Sequence, residues 1–210
     1  FVHFAGEVGF PDSITTYDKL FNSVSEGANS VGNYFSEVSY GQLTVSSSFY
    51  PVSRDSVLSY QDTLPRNYYR KFNATTNPMG YVDDAEGLTR EQSLVIRALG
   101  AIKAQIPTAL DIDANNNGIV DNVCLILSGD LEGGGNRLLW PHTTELPPQS
   151  VMINGKDVRQ YNVQMRGFVL SESSGGVAVL CHELFHSLGA PDLYRYSFTP
   201  PDPVGPWDLM

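Results

Sequence analysis

His182, Glu183 and His186 lie within one helical turn in the stretch CHELFHSLGAPDLY (181–194), and the whole chain has only four histidines. Four residues at 3.6 per turn leave the two imidazoles roughly 40° apart on one helix face, so both can reach a single ion. Glu183 sits at the edge of that face. It is close enough to take a proton from water on the metal, and far enough aside not to bind the metal itself. Zinc lowers the pKa of its water toward about 7, and a carboxylate completes the activation. The spacing therefore predicts metal-assisted hydrolysis, with Zn2+ as cofactor, His182 and His186 as ligands and Glu183 as general base.

A catalytic zinc takes three protein ligands. No His follows His186 and no Glu follows Glu183, which leaves Asp192, Asp202 and Asp208. Asp192 is best placed. Gly189 can adopt a positive φ and turn the chain back under the ion, and Pro191 stiffens the approach. The full spacing is H-E-x-x-H-x-x-G-x-x-D, the metzincin pattern with Asp in the place of the last His. VGPWDLM (204–210) follows closely. In metzincins a tight turn sets a Met thioether beneath the zinc, and Met210, after Trp207 and Asp208, is assigned that supporting role; ordinary core packing is the alternative.

DIDANNNGIVD (111–121) places oxygen-bearing side chains at Asp111, Asp113, Asn115 and Asn117, followed by Gly118 and Asp121. Counted from Asp113, this echoes the first half of a calcium loop, so Ca2+ is expected as a second cation. The twelfth position is Cys124, so the bidentate Glu is missing and affinity should be modest. The alternative is an Asx-rich turn without an ion. His142, in LWPHTTE, could reach the cleft, although a satisfied structural His is the plainer reading. Tyr194 and Tyr196 could donate to an oxyanion, with packing the better assignment for both. Cys124 and Cys181 lie in apolar stretches and read as buried free thiols rather than a disulfide.

Phe1–Phe4 reads as a short strand. Residues 17–40 read as helical in their second half, and QLTVSSSFY (42–50) reads as a strand. Thr89 and Gln92 resemble a capping box opening a helix that runs to about Ile106. IVDNVCLILSG (119–129) is a continuous apolar run, expected of a central strand covered on both faces. A loop follows at 129–136. Asn154-Gly155 predicts a hairpin turn, with a strand continuing through RQYNVQM. Residues 175–189 form the metal-binding helix, with Val177, Leu180, Cys181, Leu184 and Leu188 as its apolar side. The class is α/β (α+β), with no internal repeat and no linker between two domains.

A net charge of −10 argues against nucleic acid and against an anionic membrane surface, where a basic face is needed. No run of about eighteen apolar residues spans a bilayer. The chain begins at Phe1, which predicts a removed leader or propeptide, or an excised domain.

HELFHSLGAPDLY followed by GPWDLM resembles the immune inhibitor A family of secreted bacterial metallopeptidases. YFSEVSYGQLTV (34–45), and NNNGIVDNVCLILSG followed by LLWPH (138–142), are similar to segments of that family and extend the resemblance upstream. The resemblance implies a metzincin-like fold, in which a twisted, mostly parallel sheet packs on a long helix and on the active-site helix. It implies His182, His186 and Asp192 as ligands and Glu183 as catalytic base. The family continues into a lower subdomain, so residues 1–210 are expected to be a single zinc-metallopeptidase catalytic domain truncated after the Met-turn. The function expected is a secreted or extracytoplasmic bacterial zinc endopeptidase, monomeric, acting on protein or peptide. Two rivals fit the same residues. One is an adhesion or binding module with weak or no turnover, and the other is a zinc amidase acting on cell-wall peptides. An intact Glu183 favours an enzyme.

Overall fold

The computed structural model describes residues 1–132, 137–171, 175–195, 203–205 and 208–210. Of the residues weighed above, Tyr196, Asp202, Trp207 and positions 133–136 of the loop lie outside the described residues. The strands are β1 (Val2–His3), β2 (Tyr60–Gln61), β3 (Cys124–Leu127), β4 (His142–Glu145), β5 (Met152–Ile153), β6 (Lys156–Asp157) and β7 (Gln160–Met165). The helices are α1 (Ile14–Asn22), α2 (Val31–Val38), α3 (Asp84–Ile102), α4 (Arg166–Val169) and α5 (Gly176–Ser187).

One sheet runs in the order β2-β1-β3-β7-β4. Its first four strands are parallel, and β4 alone runs antiparallel, at the edge, against β7. The fold is the mixed α/β, mostly parallel, metzincin-like arrangement expected. Side-chain alternation divides two cores between the faces of the sheet. Leu125, Leu127, Tyr161, Val163 and Met165 join Leu94, Val95, Ala98, Leu99 and Ile102 of α3. Ile126 faces the other way, with Phe21 of α1, Phe35 of α2 and Val177, Leu180 and Cys181 of α5. The apolar run around β3 is thus buried on both sides, which is why it shows no alternation in sequence. No helix among the described residues is long and apolar enough to cross a membrane.

Three expectations shift. The long helix starts at Asp84 rather than near Thr89: Asp83 accepts from Glu86 N at 2.8 Å while Glu86 Oε2 accepts from Val82 N at 2.8 Å. Two cap-like pairs stand six residues apart, and the earlier one, with Asp83 in extended backbone, opens the helix. Thr89 sits inside it and donates to Ala85 O. The segment 42–50 joins no sheet. The amide of Asn22 pairs with Ser47 in the manner of a neighbouring strand, donating to its carbonyl at 2.9 Å and accepting from its N–H at 2.6 Å. Leu188 is exposed rather than part of the apolar side of α5, because the helix ends at Ser187. The β5–β6 hairpin turns at Asn154 and Gly155, both at positive φ, as their sequence requires.

Candidate metal centre

Both ends of α5 are fixed by glycine. A Cβ on Gly176 would stand 2.4 Å from the carbonyl oxygen of Val169, so only glycine lets the helix begin against α4. At the other end Gly189 takes φ +91, Gly189 N donates to His186 O at 2.9 Å, and Ala190 N donates to Phe185 O at 3.0 Å. This is a Schellman close, and it reverses the chain directly beneath the two histidines.

The reversal has two consequences for the site. It brings the Ala190 carbonyl 2.8 Å from His186 Nδ1. It also returns Asp192, whose Oδ1 lies 3.2 Å from His182 Nε2 and 3.4 Å from His186 Nε2. His182 Nδ1 in turn meets the carbonyl of Leu209. A carbonyl only accepts, so each imidazole carries a proton on Nδ1, and Nε2 is the nitrogen that can serve as a metal ligand. The ligand atoms of His182, His186 and Asp192 all lie within 4.8 Å of one another. Two imidazole nitrogens and a carboxylate oxygen facing one another form a donor set that suits Zn2+. It is the only group of three His, Cys, Asp or Glu of this kind among the described residues. Of the other sequence candidates, Asp208 accepts from Met210 N within its own turn. Met210 is buried, and Leu209, beside it, supplies the carbonyl that orients His182.

Glu183 reaches from α5 to the edge strand β4. It is buried, and its Oε2 accepts from Thr143 Oγ1 at 2.6 Å. Thr143 belongs to β4, and a cleft of about 370 Å³ runs between residues 143–145 of that strand, Gln160, His186 and residues 189–192. Tyr194 stacks on His182 with ring centroids 6.1 Å apart. Burial pushes the thiols of Cys124 and Cys181 up to about 12, so neither is a thiolate near neutral pH. Both are free, as expected.

His142 does not enter the ligand group. Its Nε2 is 2.8 Å from Glu91 Oε1 and its Nδ1 is 2.7 Å from Trp140 O. Both ring nitrogens face acceptors, an arrangement that suits the imidazolium. Glu91 of α3 is fully buried, accepts from Tyr161 OH at 2.7 Å and lies 3.2 Å from Arg137 Nε. Neither Glu91 nor Thr143 was picked out by sequence, because each acquires its role only when β4 docks between α3 and α5.

The calcium turn finds no support. Asp113 accepts from Asn117 N, from Gly118 N at 3.0 Å and from Lys156 Nζ at 2.6 Å. Asp121 Oδ2 accepts from Ala114 N, and Asn115 and Asn117 each accept from a backbone N–H two residues on. The turn is closed by Asx bonds and a lysine ammonium takes the place of the cation. The Lys156 hydrogen bond leads the effects that hold the Asp113 carboxyl below its ordinary range. Millimolar calcium should leave the melting midpoint unmoved, and Lys156→Met should lower it. A calcium-dependent rise in the wild type would restore the ion.

Residues 107–210 match the family described as Immune inhibitor A peptidase M6, catalytic domain. Residues 107–210, just under half of the chain, are thus similar to the catalytic domain of the immune inhibitor A family. Over 136 residues the chain is 28% identical to Immune inhibitor A of Bacillus thuringiensis subsp. alesti, an alignment that covers 52% of this chain and 20% of that protein. The chain thus aligns with about a fifth of the length of the curated relative it matches. The matched region contains the His182, His186 and Asp192 group, Glu183, and Thr143 on the opposite lip of the cleft.

Proposed function

We propose that the chain is the catalytic region of a secreted bacterial zinc endopeptidase, acting as a single domain. The observation that carries this reading is the convergence of His182, His186 and Asp192 beside a buried Glu183, within a chain half of which matches a peptidase family. His182 and His186 through Nε2 and Asp192 through Oδ1 would hold the ion. When bound, zinc supplies a Lewis acid that makes water acidic near neutral pH and polarises a carbonyl. The protein's own residues do the rest. The Nδ1 bonds to Leu209 and Ala190 lock the imidazoles in one tautomer and orientation. The cleft along β4 would hold the peptide against the site. Glu183 takes a proton from the attacking water and passes it to the departing amine nitrogen, so one carboxylate serves first as base and then as acid.

The test pairs elemental analysis with a peptidase assay on casein and defined peptides. One zinc per chain, and cleavage that a chelator stops and added zinc restores, is the expected result. Bound zinc without cleavage would favour the adhesion module, and cleavage confined to cell-wall peptides would favour the amidase. A purified chain with no affinity for zinc would overturn the reading.

A further inference from the structure

Among the described residues, the only side chain hydrogen-bonded to the Glu183 carboxylate is Thr143. We propose that Thr143 is a positioning residue for Glu183, fixing which carboxylate oxygen handles the proton; this rests on the peptidase reading above. Thr143 Oγ1 lies 2.6 Å from Glu183 Oε2 and 3.1 Å from the backbone oxygen of the same residue. A hydroxyl has one proton to give, and the shorter, charge-assisted bond takes it. One lone pair of Oε2 is thereby engaged, and Oε1 is the oxygen with both lone pairs open to accept a proton from water and release it to the amine.

Such a constraint matters because the terminal torsion of a glutamate is intrinsically broad and nearly two-fold. A carboxylate held by one good donor loses that freedom before substrate arrives, so less reorganisation remains for the transition state. The strand that carries the donor is held on both faces. Successive residues of β4 point to opposite sides of the sheet. His142 reaches Glu91 on the α3 side, and Thr143 reaches Glu183 on the α5 side. Pairing of Thr143 with Asn162 on β7 fixes the register between them. A slip of one residue would present His142 or Thr144 to Glu183 instead.

The experiment compares Thr143→Val, which keeps the shape and loses the hydroxyl, with Thr143→Ser, which keeps the hydroxyl, both made in the intact protein. Thr143→Val should lower kcat by about 10–100-fold with KM within about twofold of wild type, and with unchanged zinc content. Thr143→Ser should recover most of the rate. A valine variant at full kcat, or a serine variant as slow as valine, overturns the inference and leaves the peptidase reading standing. A crystal structure of Thr143→Val supplies a readout independent of turnover: the Glu183 carboxylate should rotate or lose its single orientation. An unmoved carboxylate overturns the inference even if the wild type cleaves nothing, an outcome that would separately defeat the peptidase reading.

Discussion

Glu183→Gln leaves the metal in place and removes cleavage. The substitution keeps the size of the side chain and an oxygen that accepts from Thr143, but an amide takes up no proton. A positioned general base contributes about 10²–10⁴ in rate, and kcat/KM should fall by that factor, roughly 3–5 kcal/mol of transition-state stabilisation. Zinc content should stay at the wild-type level, because Glu183 lies outside the group formed by His182, His186 and Asp192. The two measurements must be made together. Activity within about threefold of wild type would show that Glu183 is not the base. Loss of zinc along with activity would show instead that it is needed to build the pocket.

The second large effect is on stability. Glu91 is a fully buried carboxylate that serves Tyr161, His142 and Arg137 at once. Glu91→Ala removes the hydrogen-bond acceptor of Tyr161 and His142 and the counter-charge of Arg137. Breaking a buried charged pair from one side costs about 3–5 kcal/mol, a large part of the roughly 5–15 kcal/mol that holds a domain folded. The urea midpoint should fall accordingly, and Glu91→Gln, which keeps the volume and one acceptor, should fall less. The loss should depend on pH. Burial acts to lower the pKa of His142, but the hydrogen bond and charge of Glu91 outweigh it, and the net shift is upward from 6.5. A raised folded pKa means that the stabilisation is complete below about 6.5 and fades as pH climbs through the folded value. Wild type should show that decline, and Glu91→Ala should be flatter. A pH-independent wild type would mean that the pKa of His142 is the same in the folded and unfolded chains.

Much of the centre was readable from the chain because its logic is local. His182, Glu183 and His186 are related by helical period, Gly189 by the need for a positive φ, and Asp192 by the reversal that Gly189 permits. The central strand was readable from the apolar run around β3, since a strand buried on both faces has no polar side to show, while the mostly parallel sheet followed only from the family resemblance. What escaped depends on partners distant in sequence. Thr143 meets Glu183 across 40 residues and His142 meets Glu91 across 51, and nothing local marks an edge strand as the lip of a cleft. The segment 42–50 alternates like a strand, yet one Asn22 amide satisfies the backbone that a partner strand would have taken. The calcium turn shows the same limit. Its oxygens were visible, but Lys156, which faces them from the β5–β6 hairpin, was not.

The bond from His182 to the carbonyl of Leu209 spans 27 residues. An ion captured at His182 would therefore act as a removable cross-link. It would tie the end of α5 to the aspartate ten positions later, and it would hold in place the imidazole on which the last residues of the chain rest. Stripping the metal should then loosen the segments around Asp192 and Leu209 as well as stop the chemistry, and starvation for zinc would open them to attack by other proteases. Supply of the ion would in that case govern the lifetime of the molecule together with its activity.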